Sequence, residues 1–165
     1  MEFLIFSDSH GRVDAMREVI ARQIRAPHAI LFAGDGVRDT EQIGGDVHWS
    51  AVSGNCDFFC RDYPETLLLP MGGHRVLLTH GHRFGVKEGF ERLMRYATVA
   101  DADVVIYGHT HLPHLQVLES GTVLGERTLE RPMYLFNPGS IGMGSHSFGT
   151  LTLRPDLVFF AHGEL

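Results

Sequence analysis

The stretch Phe3-Leu4-Ile5-Phe6-Ser7-Asp8-Ser9-His10 joins four consecutive apolar residues to four polar ones. A short, unbroken apolar run suits a strand buried on both faces, as in a sheet covered by helices. Just downstream, Val13, Met16, Val19, Ile20 and Ile24 fall at helical spacing opposite Arg17, Arg22 and Gln23, which predicts a helix over 13–24. A second apolar run, Ala29 to Ala33, stops at Gly34-Asp35-Gly36, and a third, Val47 to Val52, stops just before Gly54-Asn55. Alternating strand and helix points to a layered α/β architecture.

The middle of the chain repeats the theme. Residues 74–79 read as a strand ending in His80-Gly81-His82. Residues 86–97 read as a helix with Phe90, Leu93, Met94 and Ala97 on one face. Residues 104–107 read as a strand ending in Gly108-His109-Thr110-His111. Beyond them the helical period disappears. Segments 113–118, 122–129, 133–136, 148–153 and 157–161 are short and separated by Gly and Pro, which predicts a second, largely antiparallel sheet. No linker-like stretch divides the chain, so one domain over residues 1–165 is expected.

Composition narrows the function classes. A chain of 165 residues buries roughly 70% of its unfolded surface without disulfide staples. A net charge of −6 disfavours long nucleic acids and anionic membranes, which need a basic footprint. Cys56 and Cys60 are too few for a disulfide framework. The first apolar run is too short for a signal-peptide core, and no stretch reaches the ~20 apolar residues of a membrane span. A cytoplasmic location is the resulting expectation. Eleven histidines and nineteen glycines raise the prior on a metal or phosphate site.

Five strand ends each run into a polar cluster: Asp8-Ser9-His10, Gly34-Asp35, Gly54-Asn55, His80-Gly81-His82 and His109-Thr110-His111. In open α/β sheets ligands bind beyond the carboxyl ends of the strands, so these clusters converge on one rim. Asp, Asn and His without thiolate suit Mn, Fe, Zn or Ni. One zinc-like site needs three or four ligands. At least seven are on offer, so two metals sharing a bridging carboxylate is the economical assignment. Two such cations clamp the oxygens of a phosphate ester during hydrolysis and lower the pKa of bound water toward ~7.

In order and spacing these motifs, together with Cys56-Asp57 and Asn137-Pro138-Gly139-Ser140, resemble the calcineurin-like metallophosphoesterase superfamily. The Gly-Asn-Cys-Asp third motif looks like that of its short bacterial and archaeal phosphodiesterases. The resemblance implies a four-layer α/β/β/α sandwich of two mixed sheets flanked by helices. It implies that Asp8, His10 and His111 hold one metal, that Asn55, His80 and His109 hold the other, and that Asp35 bridges. It also implies two divalent ions, Mn2+ first with Fe, Zn or Ni as alternatives, and a hydroxide between them attacking phosphorus in line.

Asp35, Asn55, His80, Cys56 and His82 are therefore the catalytic candidates, and Asn55 and Arg12 the candidates for contact with substrate phosphate. Larger members carry a histidine where this chain has Cys56, a weaker donor without positive charge. Leaving-group assistance is then weak, and diesters with good leaving groups suffer least. The expected substrate is a small phosphate ester, and a homo-oligomer is compatible with the sequence. Phosphomonoesterase activity is the alternative within enzymes. A non-catalytic scaffold like the retromer subunit of the same fold is the alternative outside them. A ligand-type side chain at every expected position favours catalysis.

Overall fold

A computed structural model describes residues 1–165 of the chain. The elements in chain order are β1 (Glu2–Phe6), α1 (Val13–Ala21), β2 (Ala29–Phe32), β3 (Trp49–Ala51), β4 (Thr66–Met71), β5 (His74–Thr79) and α2 (Glu91–Val99). Then follow β6 (Val104–Ile106), β7 (Pro113–Leu118), β8 (Val123–Leu124), β9 (Arg127–Thr128), β10 (Met133–Pro138), β11 (Ser147–Arg154) and β12 (Leu157–Glu164). Two five-stranded mixed sheets result, ordered β12-β11-β1-β2-β3 and β4-β5-β6-β10-β7.

The strand period of two assigns each apolar side chain to a layer. Phe3, Ile5, Ala29 and Leu31 of the first sheet meet Val76, Leu78, Val104 and Ile106 of the second in the central core. Phe136 and Phe160 stack across that interface at 4.3 Å between ring centroids. Leu4, Phe6, Ile30 and Phe32 point the other way, onto Ala15, Met16 and Val19 of α1. Leu77, Val105 and Tyr107 form the matching outer face under Leu93 and Ala97 of α2. The fold is therefore a four-layer α/β/β/α sandwich.

Several boundaries differ from the sequence reading. Helix α1 stops at Ala21, with Arg22 as its C-cap, and Ile24 is wholly exposed instead of joining the apolar face. Helix α2 begins at Glu91, because Gly85 and Gly89 keep the preceding segment in turns. Segment 122–129 is two strands closed by a two-residue turn at Gly125-Glu126. Strand β4 is an element the sequence reading omits. It pairs antiparallel with β5 through Gly72-Gly73, a two-residue hairpin signal. The late strands do not form a sheet of their own. β7 and β10 join β6, whereas β11 and β12 return to flank β1.

Candidate metal centre

Parallel pairing brings the strand ends together. In the first sheet β1, β2 and β3 run parallel, with Phe6 opposite Phe32 and Phe32 opposite Ala51. Asp8, His10, Asp35 and Asn55 therefore leave along one edge. In the second sheet β5, β6 and β10 run parallel and deliver His80, His82, His109, His111 and Asn137 to an edge in the same way.

The chain turns sharply as it leaves these strands. Asp8, His10, Asp35, His109 and His111 take φ of 54°, 44°, 59°, 69° and 61°, in the left-handed region that non-glycine residues avoid. Only Asp101 and His146 do so elsewhere in the chain. Backbone strain is thus concentrated at one place, a common mark of functional sites. Close approach is needed too. A Cβ at Gly108 would collide with the Ser7 hydroxyl, and one at Gly54 with Asp35 Oδ1.

Every strand-end ligand candidate reaches one cluster. Asp8, His10 and His111 offer ligand atoms within 4.8 Å of one another, as do Asp35, His80 and His109. His10, Asp35 and Cys56 form a third such group. His111 Nε2 lies 3.1 Å from Asp8 Oδ1, and His80 Nε2 lies 3.4 Å from Asp35 Oδ2. Asn55 Oδ1 sits 3.1 Å from His80 Nε2. His80 Nδ1 donates to the Ala33 carbonyl at 2.7 Å, which turns the Nε2 lone pair into the cluster. His82 stands beside it, its ring 5.4 Å from His80 and 6.2 Å from His109. Arg12 turns instead to Asp14, 3.3 Å away, at the start of α1.

The orphaned atom is the informative one. Asp8 is fully buried, and its Oδ1 accepts no hydrogen bond. Nε2 atoms of His111, His80 and His10 surround that oxygen at 3.1, 3.9 and 4.0 Å. A bare buried carboxylate oxygen is costly unless a cation meets it. The nitrogen and oxygen donors around it suit a borderline divalent metal. The residues therefore fit a metal site.

Proton affinities follow from this crowding. Burial alone would raise the Asp35 carboxyl, but the His80 hydrogen bond and charge and the Cys56 backbone N–H hold it far below the usual range. His80 moves up because its Asp35 hydrogen bond and the Asp8 charge outweigh burial. The Asp8 carboxylate beside it raises His111 as well. Burial, then the charges of His80 and Lys87, push His109 down to about 4. Burial and the Asp35 hydrogen bond push the Cys56 thiol up to about 11, so it stays protonated at neutral pH.

A supporting layer carries roles that the sequence reading leaves out. The Asp57 carboxylate accepts N–H bonds from Asp35, Gly36, Val37 and Gly54 at 2.8–3.1 Å. Asp39 Oδ2 accepts from the Ser9 hydroxyl at 2.6 Å and the Gly11 N–H at 2.8 Å. Asn137 donates to the Gly108 carbonyl at 2.8 Å, and the Ser140 hydroxyl donates to that of Asp8 at 2.8 Å. Lys87, the single lysine of the chain, stands near enough to act on both His109 and His111. His146 closes its own loop through the Ile141 carbonyl. Cys60 is core packing, whereas Cys56 is exposed.

Ligand-type side chains on the strand ends of two facing mixed sheets make a candidate metal centre, and the family match makes it that of a metal-dependent phosphoesterase. The chain belongs to the calcineurin-like phosphoesterase superfamily, whose domain it matches over residues 1–155. It is 31% identical over 160 residues to the probable metallophosphoesterase YsnB of Bacillus subtilis, covering 94% of this chain and 86% of that one. It is 27% identical over 167 residues to the phosphodiesterase YfcE of Escherichia coli K12, covering 87% and 80%. The zinc complex of wild-type Vps29 from Entamoeba histolytica shares the fold with a TM-score of 0.65 at 22% identity, covering 99% of both chains. No helix is long and apolar enough to cross a membrane.

Proposed function

We propose that residues 1–165 form one metallophosphoesterase domain acting as a phosphodiesterase with two divalent ions, Mn2+ first among them. Asp8, His10 and His111 would hold one ion, Asn55, His80 and His109 the other, and Asp35 would bridge. Bound there, two such ions supply charge stabilisation for phosphate oxygens and a water acidic enough to act as nucleophile near neutral pH. The observation that carries the reading is Asp8 Oδ1, buried without a donor and ringed by three histidine nitrogens.

The protein's own residues set what the site does well. His80 is fixed as a ligand by its bond to Ala33, and Asp35 stays ionised through its bonds to His80 and Cys56. Cys56, a protonated thiol held by the Asn55 amide at 3.3 Å, is a weak proton donor. Weak help to the leaving group favours diesters with good leaving groups over monoesters. The free thiols Cys56 and Cys60 suit a reducing cytoplasm. Vps29 shares the fold, so a non-catalytic scaffold is the second reading; the complete set of ligand-type side chains at the cluster favours catalysis.

The test is hydrolysis of bis(p-nitrophenyl) phosphate and p-nitrophenyl phosphate by metal-stripped protein, with and without Mn2+. Asp35→Asn and His80→Ala serve as controls. Metal-dependent diester cleavage at least tenfold above monoester cleavage, lost in both variants, is the expected result. A folded protein that binds divalent ions yet turns over neither ester with Mn, Fe, Zn or Ni would overturn it.

A further inference from the structure

Asn55 belongs both to the ligand cluster and to the wall of an open cavity of about 420 Å3. That volume lies in the range of small-molecule sites. Phe58, Arg61, Tyr63, His82 and Arg83 also line it. Phe58 is 78% exposed, a large apolar ring facing water next to a polar centre. Arg61 is exposed in the same wall and forms no ion pair within the chain. Arg83 is different, clamped by both Glu65 oxygens through Nε at 3.1 Å and Nη2 at 2.8 Å. Its Nη1 stays uncommitted. Nδ1 of His82 is buried with no hydrogen-bond partner.

We propose that this cavity receives the ester arm of the substrate, and that the arm is a planar aromatic group, aryl or nucleoside. The inference rests on the phosphoesterase reading of the adjoining cluster. A glycerol arm would leave Phe58 facing water. An alkyl arm would cover the unpaired Arg61 without offering it a partner, at a desolvation cost. A flat ring meets both demands. Its face stacks on Phe58 or on a guanidinium plane, and a polar edge reaches Arg61. Stacking of a base on an exposed aromatic residue is worth about tenfold in binding.

Calorimetric titration of the Mn2+-loaded protein with inorganic phosphate, phenyl phosphate and adenosine 5′-monophosphate tests this directly. Phenyl phosphate is expected to bind about tenfold more tightly than phosphate. A further gain with adenosine 5′-monophosphate identifies a nucleoside arm, and its absence an aryl one. Phe58→Ala should remove the aromatic advantage and leave phosphate binding unchanged. Arg61→Ala should weaken adenosine 5′-monophosphate about threefold or more with phosphate again unchanged. Equal binding of all three ligands to the wild type overturns the proposal, as does a Phe58→Ala loss shared by phosphate. Because calorimetry reads affinity and the diester assay reads turnover, the two readings fail separately. A protein that hydrolyses no diester but keeps its aromatic preference counts against the phosphodiesterase reading alone. One that cleaves diesters yet binds the three ligands alike counts against the arm-binding cavity alone.

Discussion

Asp8 has one oxygen committed and one bare. Its Oδ2 accepts from the Ser7 hydroxyl and from the His109 N–H at 3.1 Å, while Oδ1 has only histidine nitrogens near it. The histidines around it answer to acid in opposite directions. His109 has its folded pKa pushed from 6.5 to about 4, so below 6.5 the unfolded chain takes up a proton that the folded one refuses. Its contribution to stability is complete above 6.5 and is lost as pH falls toward 4. His111, raised by Asp8, contributes fully below 6.5 and loses that contribution as pH rises through its folded value. Asp35 is depressed from 3.8, so its contribution fades only at still lower pH. In chelator, between pH 7 and pH 4, the thermal midpoint of His109→Asn should therefore fall less than that of the wild type. That of His111→Asn should fall more. Parallel curves for all three proteins would contradict this account of the cluster.

Turns, more than strands, hold the site together, and here sequence legibility ended. The strand ends could be read because apolar runs break into Gly-bounded Asp, Asn and His clusters, a local signal. The work of Asp57 could not, because the N–H groups of Asp35, Gly36 and Val37 lie 20–22 residues away and come near only once the first sheet has formed. The same holds for Asp39 and the Ser9–Gly11 turn. The left-handed φ of five ligand candidates was equally hidden, since Asp and His enter that region more often than most residues but far less often than glycine. Asp57 makes a quantitative case. Its four N–H bonds run to a charged acceptor, and such bonds are worth about 1.5–3 kcal/mol each. Water replaces part of that at a half-buried position, so Asp57→Ala should cost about 3 kcal/mol, or roughly 6–12 °C in midpoint. Asp57→Asn, which keeps an accepting oxygen without the charge, should fall between. Thermal unfolding of the three proteins in chelator checks the order, and a loss below ~1 kcal/mol for Asp57→Ala would show that the turns hold themselves.

The global arrangement of the sheets is where local reading reaches furthest from the outcome. Alternating burial along β11 gives it one inner and one outer face, but nothing in its own residues or in those of β12 says which sheet they join. That is settled by long-range pairing of β11 with β1. The result is two sheets in contact through one apolar core, with the ligand candidates divided between them: Asp8, His10, Asp35 and Asn55 from the first, His80, His109 and His111 from the second. A metal held by both sets ties the sheets together and stabilises the folded chain by mass action. At a free ion concentration 100 times the dissociation constant the gain is about 2.7 kcal/mol, or roughly 5–11 °C for a chain of this size. Mn2+ should therefore raise the wild-type midpoint by several degrees, and chelator should reverse the shift. Asp8→Asn separates this from general tightening. A neutral amide at that position removes a buried charge that lacks its partner, so the metal-free variant should unfold at or above the metal-free wild-type midpoint. With its carboxylate gone, the variant should gain little or nothing from Mn2+. Thermal scans of both proteins, with Mn2+ and with chelator, read the two effects independently. An Asp8→Asn protein that keeps the full Mn2+ shift would place the ion elsewhere.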